Sequence, residues 1–353
     1  IGAGGCAAGR GCGGGGGRDG GGTPAAGSSG SGETEQLEAV PAVQVVLSDG
    51  VWAPRILTNR TNSLRNMLQS FVDNGNLDNF RKAAHLMDGT HQGFLWADSD
   101  VYKTLEGAAR ALSLQADHDL EEKLEQALAG IAAAPRADGY LNTYFQLAGE
   151  GRLDGGRVET RQPWEDLIAA HEDYCAGHLI EAALAHKEAT GRETFLNVAK
   201  RVADNMSATF GEGRRSGVPG HQEAELALIK LWRKLGRAPD LELAKFYLDE
   251  RGRHSGGRGI YGEYCQDLTP VRRQTEALGH CVRGPYMYAG AVDLAGITGD
   301  AELLAAQELL WKNTVERKMY VTGGFGHNLY NEGFAPDYDL PNDAAYCETC
   351  ASV

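Results

Sequence analysis

The chain has 353 residues, 42% of them apolar and 23% charged, which allows one large domain or two ordinary ones with a sizeable core. Lys and Arg number 34 against 48 Asp and Glu, so the formal net charge is −14, the wrong sign for a nucleic-acid or anionic-membrane surface. No run of roughly eighteen apolar residues occurs, so no transmembrane helix is expected.

Glycine is in excess, with 48 residues, and the excess lies at the front. The stretch IGAGGCAAGRGCGGGGGRDGGGTPAAGSSGSG, Ile1–Gly32, is low-complexity and cannot bury a core, so residues 1–36 are expected to be a disordered leader. It has neither a starting Met nor the basic and apolar regions of a secretory signal, which points to an incomplete or mis-started reading frame. The seven cysteines, at 6, 12, 175, 265, 281, 347 and 350, are odd in number and scattered. That usage fits a reduced, cytoplasmic protein better than a disulfide scaffold.

From Val43 to Arg60 the β-branched alternation predicts an edge strand. Helices follow. In SDVYKTLEGAARALSL, Val101, Leu105, Ala108, Ala109 and Leu112 recur on one helical face, and DLEEKLEQALAGIAAA supplies a second helix after a short turn. A repeat then emerges. EATGRETFLNVAK, RKLGRAPDLELAK and GITGDAELLAAQ each hold the end of one helix, a glycine, a polar stretch and the start of the next. Gly191, Gly236 and Gly299 fit the left-handed position that stops a helix. A helix pair every ~45–60 residues describes an α-hairpin array, either an open solenoid or a closed α/α toroid. Gly177-His178, Gly220-His221 and Gly279-His280 are each predicted to precede the first helix of a hairpin. In a toroid those helices form the inner ring, so the three histidines would line one polar mouth.

Near the C-terminus, Tyr320–Asp343 is a Gly- and Asp-rich loop too long to be idle. It carries Glu332, Asp337 and Asp339 beside Tyr330, Phe334 and Tyr338. A carboxyl with apolar neighbours keeps its proton near neutral pH and can serve as a general acid. Cys347-Glu348-Thr349-Cys350 ends the chain. A lone CxxC suits half a metal site better than a redox pair here, because the helical surroundings lack the βαβ context of redox motifs.

Taken together, the stretches DGVWAPR, DSDVYKTLEGAA, DGYLNTYF, HEDYCAGHLIEAALAH, GVPGHQEAELAL, RRQTEALGHCVR, KMYVTGGFG and LPNDAAYCETCASV resemble glycoside hydrolase family 127, the β-L-arabinofuranosidase-type enzymes. The likeness runs from about Val43 to Val353. It implies an all-α (α/α)6 catalytic toroid over residues 37–353. It also implies a retaining exo-glycosidase that releases L-arabinofuranose through a zinc-held cysteine thiolate. By motif position Glu332 is the acid/base, His178, His221 and His280 bind the sugar, and Glu348 and Cys350 are zinc ligands, with Cys347 a neighbour. The family's adjacent Cys-Cys pair, which supplies the nucleophile and a further ligand, is absent from these 353 residues. The expectation is therefore an incomplete domain, a fragment inactive as it stands, with the pair beyond Val353. Leu268, where the family pattern has His, and Cys281, after His280, are smaller departures. Three rival readings remain. One is an α/α-toroid hydrolase of other sugar specificity, another a non-catalytic carbohydrate-binding toroid protein, and the weakest a redox-active CxxC protein.

Overall fold

A computed structural model describes residues 40–41, 44–154, 161–326 and 332–340. The chain divides into two units, the first ending at Gln44 and the second running from Val45 to Val353. In the first, a turn joins the Gln44 N–H to the Pro41 carbonyl at 2.8 Å.

The second unit is built from helices. They are α1 (Trp52–Thr58), α2 (Leu64–Asp73), α3 (Asn76–Ala83), α4 (Ala97–Leu114), α5 (His118–Ala133), α6 (Thr143–Gly149), α7 (Glu172–Thr190), α8 (Thr194–Thr209), α9 (Ala224–Leu235), α10 (Ala238–Glu250), α11 (Arg283–Thr298) and α12 (Ala301–Asn313). Five antiparallel pairs follow one another: α2/α3, α4/α5, α7/α8, α9/α10 and α11/α12. The first member of each later pair packs on the next, α4 on α7, α7 on α9 and α9 on α11, while α5, α8 and α10 touch behind them. This is the α/α-toroid arrangement, an inner row of helices backed by an outer row.

Sequence pattern explains the two rows. In α4, Val101, Leu105, Ala108 and Ala109 are buried and Leu112 is partly so, as the period required. Helix α7 has no single apolar stripe, because it is enclosed on nearly every side, from Tyr174 and Ala176 through Leu179 and Ile180 to Ala182, Ala183 and Ala185. A helix walled in all round needs small residues where neighbours come close. The joints are as expected: Gly191, Gly236 and Gly299 cap α7, α9 and α11 in left-handed backbone.

Two expectations need correction. Residues 52–60 are helical rather than an edge strand, with Trp52–Thr58 in α1, and among the described residues only isolated β-bridges occur. Local alternation lost because no neighbouring strand is present to take its hydrogen bonds. Gly177-His178 also lies inside α7 rather than before it, whereas Gly220-His221 and Gly279-His280 do sit ahead of α9 and α11. The leader's first 36 residues lie outside the described residues.

Candidate active site

The three histidines converge. The His221 ring lies 5.6 Å from that of His280 and 4.1 Å from Tyr174, and Tyr174 meets His178 edge-on at 4.4 Å. Tyr286 closes the group at 5.8 Å from His178, and His171 adds a fourth imidazole 5.5 Å from His221. The spacing explains how a mid-helix residue joins two pre-helix ones. His171, Tyr174 and His178 lie three and four residues apart along the start of α7, so they share one face pointing at the loops before α9 and α11.

Those loops are pinned by backbone contacts that exclude a side chain. A Cβ on Gly279 (φ +73°) would fall 1.9 Å from the Glu263 carbonyl oxygen, and one on Gly220 would fall 2.1 Å from that of Leu167. Gln266 ties the loops together. Its amide donates to the carbonyls of Leu278 (2.8 Å) and His280 (2.9 Å) while its oxygen accepts from Gln222 (2.8 Å). Arg283, at the start of α11, donates to the Gly220 carbonyl at 2.6 Å and lies 4.4 Å over the Tyr264 ring.

Glu332 is brought to the same place. Its carbonyl accepts from Cys281 N–H (3.0 Å), and Phe334 N–H donates to Gly279 (2.8 Å), an antiparallel bridge that lays residues 332–334 alongside 279–281. Its Oε2 accepts from the Tyr264 hydroxyl at 2.9 Å and faces His280 Nε2 at 3.1 Å. His280 Nδ1 accepts from the Val282 N–H at 3.0 Å, so the hydrogen-bond network assigns the ring proton to Nε2, which donates to Glu332. Burial, then the Arg283 charge, lowers the His280 pKa to about 4, so the ring is neutral at neutral pH. Burial holds His178 and His221 well below the ordinary histidine range and His171 at about 4. These imidazoles therefore act as hydrogen-bonding groups, not as charges. His171, Gln266 and Glu332 all hold left-handed backbone, a strained state concentrated here.

Deeper in, neither ring nitrogen of His178 and neither oxygen of Glu223 has a hydrogen-bond partner, though both residues are buried. They face each other at 3.6 Å, too far for a hydrogen bond. Burial, then the neighbouring Glu181, raises the Glu223 pKa well above the usual carboxylate range, so its carboxyl keeps a proton. Buried groups left unsatisfied in this way are suited to a polar ligand rich in hydroxyls.

The structure thus brings Glu332, His178, His221 and His280 together in one place. Asp337 is not part of the site: it accepts from Asn313 (2.9 Å) and Arg317 (2.7 Å), and the Arg317 guanidinium holds its pKa below the ordinary value. Phe334 packs with Phe325 in a small core, and Leu268 is exposed. Tyr264, Tyr174, Arg283 and Glu223 escaped the sequence reading, although the last three stand within the motif stretches and Glu223 follows His221 by two. Tyr330, Cys347, Glu348 and Cys350 lie outside the described residues. Among the described residues no group of three His, Cys, Asp or Glu could hold a metal ion, and the two residues expected to hold zinc, Glu348 and Cys350, lie outside them. A cavity of about 1030 Å³ lies elsewhere, along α8 and α10 by Asp204, Phe210, Leu243 and Phe246, and contains neither His178 nor Glu223. No helix among the described residues is long and apolar enough to cross a membrane.

An α/α toroid that gathers a loop carboxyl group and neutral histidines at one end of its inner helices has the build of a glycoside hydrolase domain. Residues 44–353 match the model of the β-L-arabinofuranosidase GH127 catalytic domain. The chain belongs to that family. It is 40% identical over 294 residues to the non-reducing end β-L-arabinofuranosidase of Bifidobacterium longum subsp. longum, covering 78% of this chain and 44% of the relative. Among solved structures it is similar to a GH127 β-L-arabinofuranosidase from Geobacillus stearothermophilus T6, with 38% identity, TM-score 0.78, and coverage of 87% of this chain and 51% of the other. A second GH127 β-arabinofuranosidase structure gives 39% identity, TM-score 0.81, and coverage of 89% and 49%. The chain spans about half the length of these relatives.

Proposed function

We propose that this chain carries the sugar-binding and proton-donating groups of a retaining exo-glycosidase that releases L-arabinofuranose from the non-reducing end of β-L-arabinofuranosides. The observation that carries this reading is Glu332, half exposed at the mouth, with two donors on one oxygen. An oxygen accepting from both Tyr264 and His280 has no room for a proton, so the acidic proton belongs on Oε1, the oxygen left for the glycosidic bond. Once the proton is given up, the same two donors stabilise the carboxylate, which can then take a proton from water in the second step of retention. His178, His221 and Glu223 supply hydrogen bonds for sugar hydroxyls. The resemblance implies a cysteine thiolate nucleophile; Glu348 and Cys350 would hold a zinc ion, which would supply the charge that keeps such a thiol deprotonated.

The test has two parts. Calorimetric titration of this chain with methyl β-L-arabinofuranoside should show binding, weakened at least about tenfold by His178→Ala, the loss expected for a buried hydrogen-bonding group. In a protein that continues this chain through an adjacent Cys-Cys pair, Glu332→Gln should cut turnover of a poor-leaving-group arabinofuranoside by about 10²–10⁴, the usual worth of a general acid, and spare an activated aryl arabinoside. Absence of arabinoside binding, or an equal loss on both substrates, rejects the reading. Binding of a pyranoside in preference favours the toroid hydrolase of other specificity.

A further inference from the structure

Phe94 is 71% exposed and Trp96 36% exposed, and both stand in the short segment that leads into α4. Their rings are stacked, with centroids 5.2 Å apart and planes within 9°. Large apolar side chains paired face to face in solvent are unusual unless they meet something. The Trp96 backbone is fixed: its carbonyl accepts from the Ser99 N–H and the Ser99 hydroxyl, both at 2.9 Å, and faces the Cys175 thiol at 3.9 Å. Inward, the Trp96 ring lies 5.1 Å from His171, and His171 lies 5.5 Å from His221. A continuous aromatic path therefore leads from the histidine site to the surface. The same path runs on from His221 to His280, 5.6 Å away, whose Nε2 faces Glu332 at 3.1 Å, so it joins the proton donor to the surface pair.

We propose that Phe94 and Trp96 form a stacking platform for the sugar on the leaving-group side of the scissile bond. The inference rests on the arabinofuranosidase reading. The leaving group must touch the proton donor, so it emerges beside Glu332 and over His171, and a second sugar ring attached there reaches Trp96. A furanose presents C–H groups on one face and hydroxyls at its edge. A flat aromatic face complements the first, and solvent serves the second. Trp96, at the N-cap of α4 with its carbonyl held by Ser99, and Phe94, stacked on it, are placed before a ligand arrives, which favours affinity. The occupant is thus a glycosyl aglycone, in preference to a small alcohol.

The test compares methyl β-L-arabinofuranoside with the methyl glycoside of a β-L-arabinofuranosyl-L-arabinofuranose disaccharide. Both are titrated calorimetrically against this chain carrying Glu332→Gln, alone and combined with Phe94→Ala, Trp96→Ala or Trp96→Tyr. The readout is the ratio of the two affinities, which a general loss of folding would not move selectively. The disaccharide should bind about tenfold more tightly than the monosaccharide, within the range of aromatic contact energies, and that advantage should shrink to about twofold in either alanine variant and return in Trp96→Tyr. Binding of the monosaccharide with no disaccharide advantage overturns the platform and leaves the arabinofuranosidase reading standing. So does an advantage that survives both alanine variants. Self-association that disappears in Phe94→Ala assigns the face to a second copy of the chain and overturns the proposal. Failure of both sugars to bind overturns the reading and the platform together.

Discussion

At the scale of single residues, the site depends on which group holds which proton. His280 is kept neutral by burial and oriented by backbone N–H groups on Nδ1, so its remaining donor can point only at Glu332. Asp337, in the same loop, is committed to Arg317 and Asn313, and so serves to anchor the loop. The metal expectation also belongs here. If Glu348 and Cys350 hold zinc, a protein that continues this chain through the adjacent Cys-Cys pair, purified without chelator, should contain the metal. Glu348→Gln and Cys350→Ser should each lower its content by roughly 10–100-fold in affinity, as loss of a supporting or direct ligand does. Elemental analysis after dialysis against a graded chelator measures this. Parent protein that holds no zinc, or content unchanged in both variants, removes the metal from the proposal. Cys347→Ser, a change beside the ligands, should leave zinc content alone.

At the scale of elements, glycine does two different jobs. At Gly299 the cap of α11 needs only a positive φ, and nothing lies within 4 Å of an added Cβ. Gly299→Ala should cost about 1–2 kcal/mol by that strain and leave sugar binding intact. At Gly279 the same positive φ is joined by the Glu263 carbonyl oxygen, 1.9 Å from where a Cβ would stand. Backbone cannot yield as a side-chain tip can, so Gly279→Ala must shift the loop that carries His280 and pairs with Gly333. Its loss of stability should exceed that of Gly299→Ala by at least about 1–3 kcal/mol, and arabinoside affinity should fall with it. Urea unfolding of both variants, with titration of each, makes the comparison. Equal losses of stability with unchanged affinity would show that the loop tolerates displacement. The repeat of Gly-His dipeptides was visible in the sequence, but its reason was not. Gly220 and Gly279 let two loops press against neighbouring backbone, whereas Gly177 lies within α7 where Glu223 and Ala224 pass closely.

At the scale of the whole molecule, packing an inner row of polar-bearing helices sets an unusual titration. His91, His171 and His280 have pKa values lowered to about 4, burial being the first cause of each. The unfolded chain binds their protons from about pH 6.5, so the stability they confer is present above 6.5 and lost as pH falls toward 4. Asp173, on α7, has the opposite sign. Burial first, then Glu172 and Glu225, raises its pKa to about 8 from 3.8. The folded state keeps a proton that the unfolded state releases, so this group's contribution is greatest below about pH 4 and gone above about 8. Asp173→Asn removes that titration while keeping an oxygen for the Tyr247 hydroxyl, 3.3 Å away. The variant should therefore gain on the parent as pH rises from about 4 to 8, by on the order of a few kcal/mol at the top, and level off beyond. Thermal unfolding across that range checks it. A difference between the two proteins that does not change with pH would mean that Asp173 does not hold its proton.

The sequence by itself determined the helical hairpins, their glycine stops and the family, because these rest on local periodicity, turn chemistry and the order of short motifs. It also singled out Glu332 and the three histidines as polar residues in motif positions. Only the tertiary structure decided that His178 reaches the site from within a helix, that Asp337 is an anchor and Glu332 is not, and that Tyr264, Arg283, Glu223 and the Phe94–Trp96 pair belong beside them. The physical reason is distance along the chain. The Tyr264–Glu332 and His280–Glu332 contacts join residues far apart in sequence, and whether a side chain meets a partner there depends on which loops the packed helices bring within about 3 Å of one another.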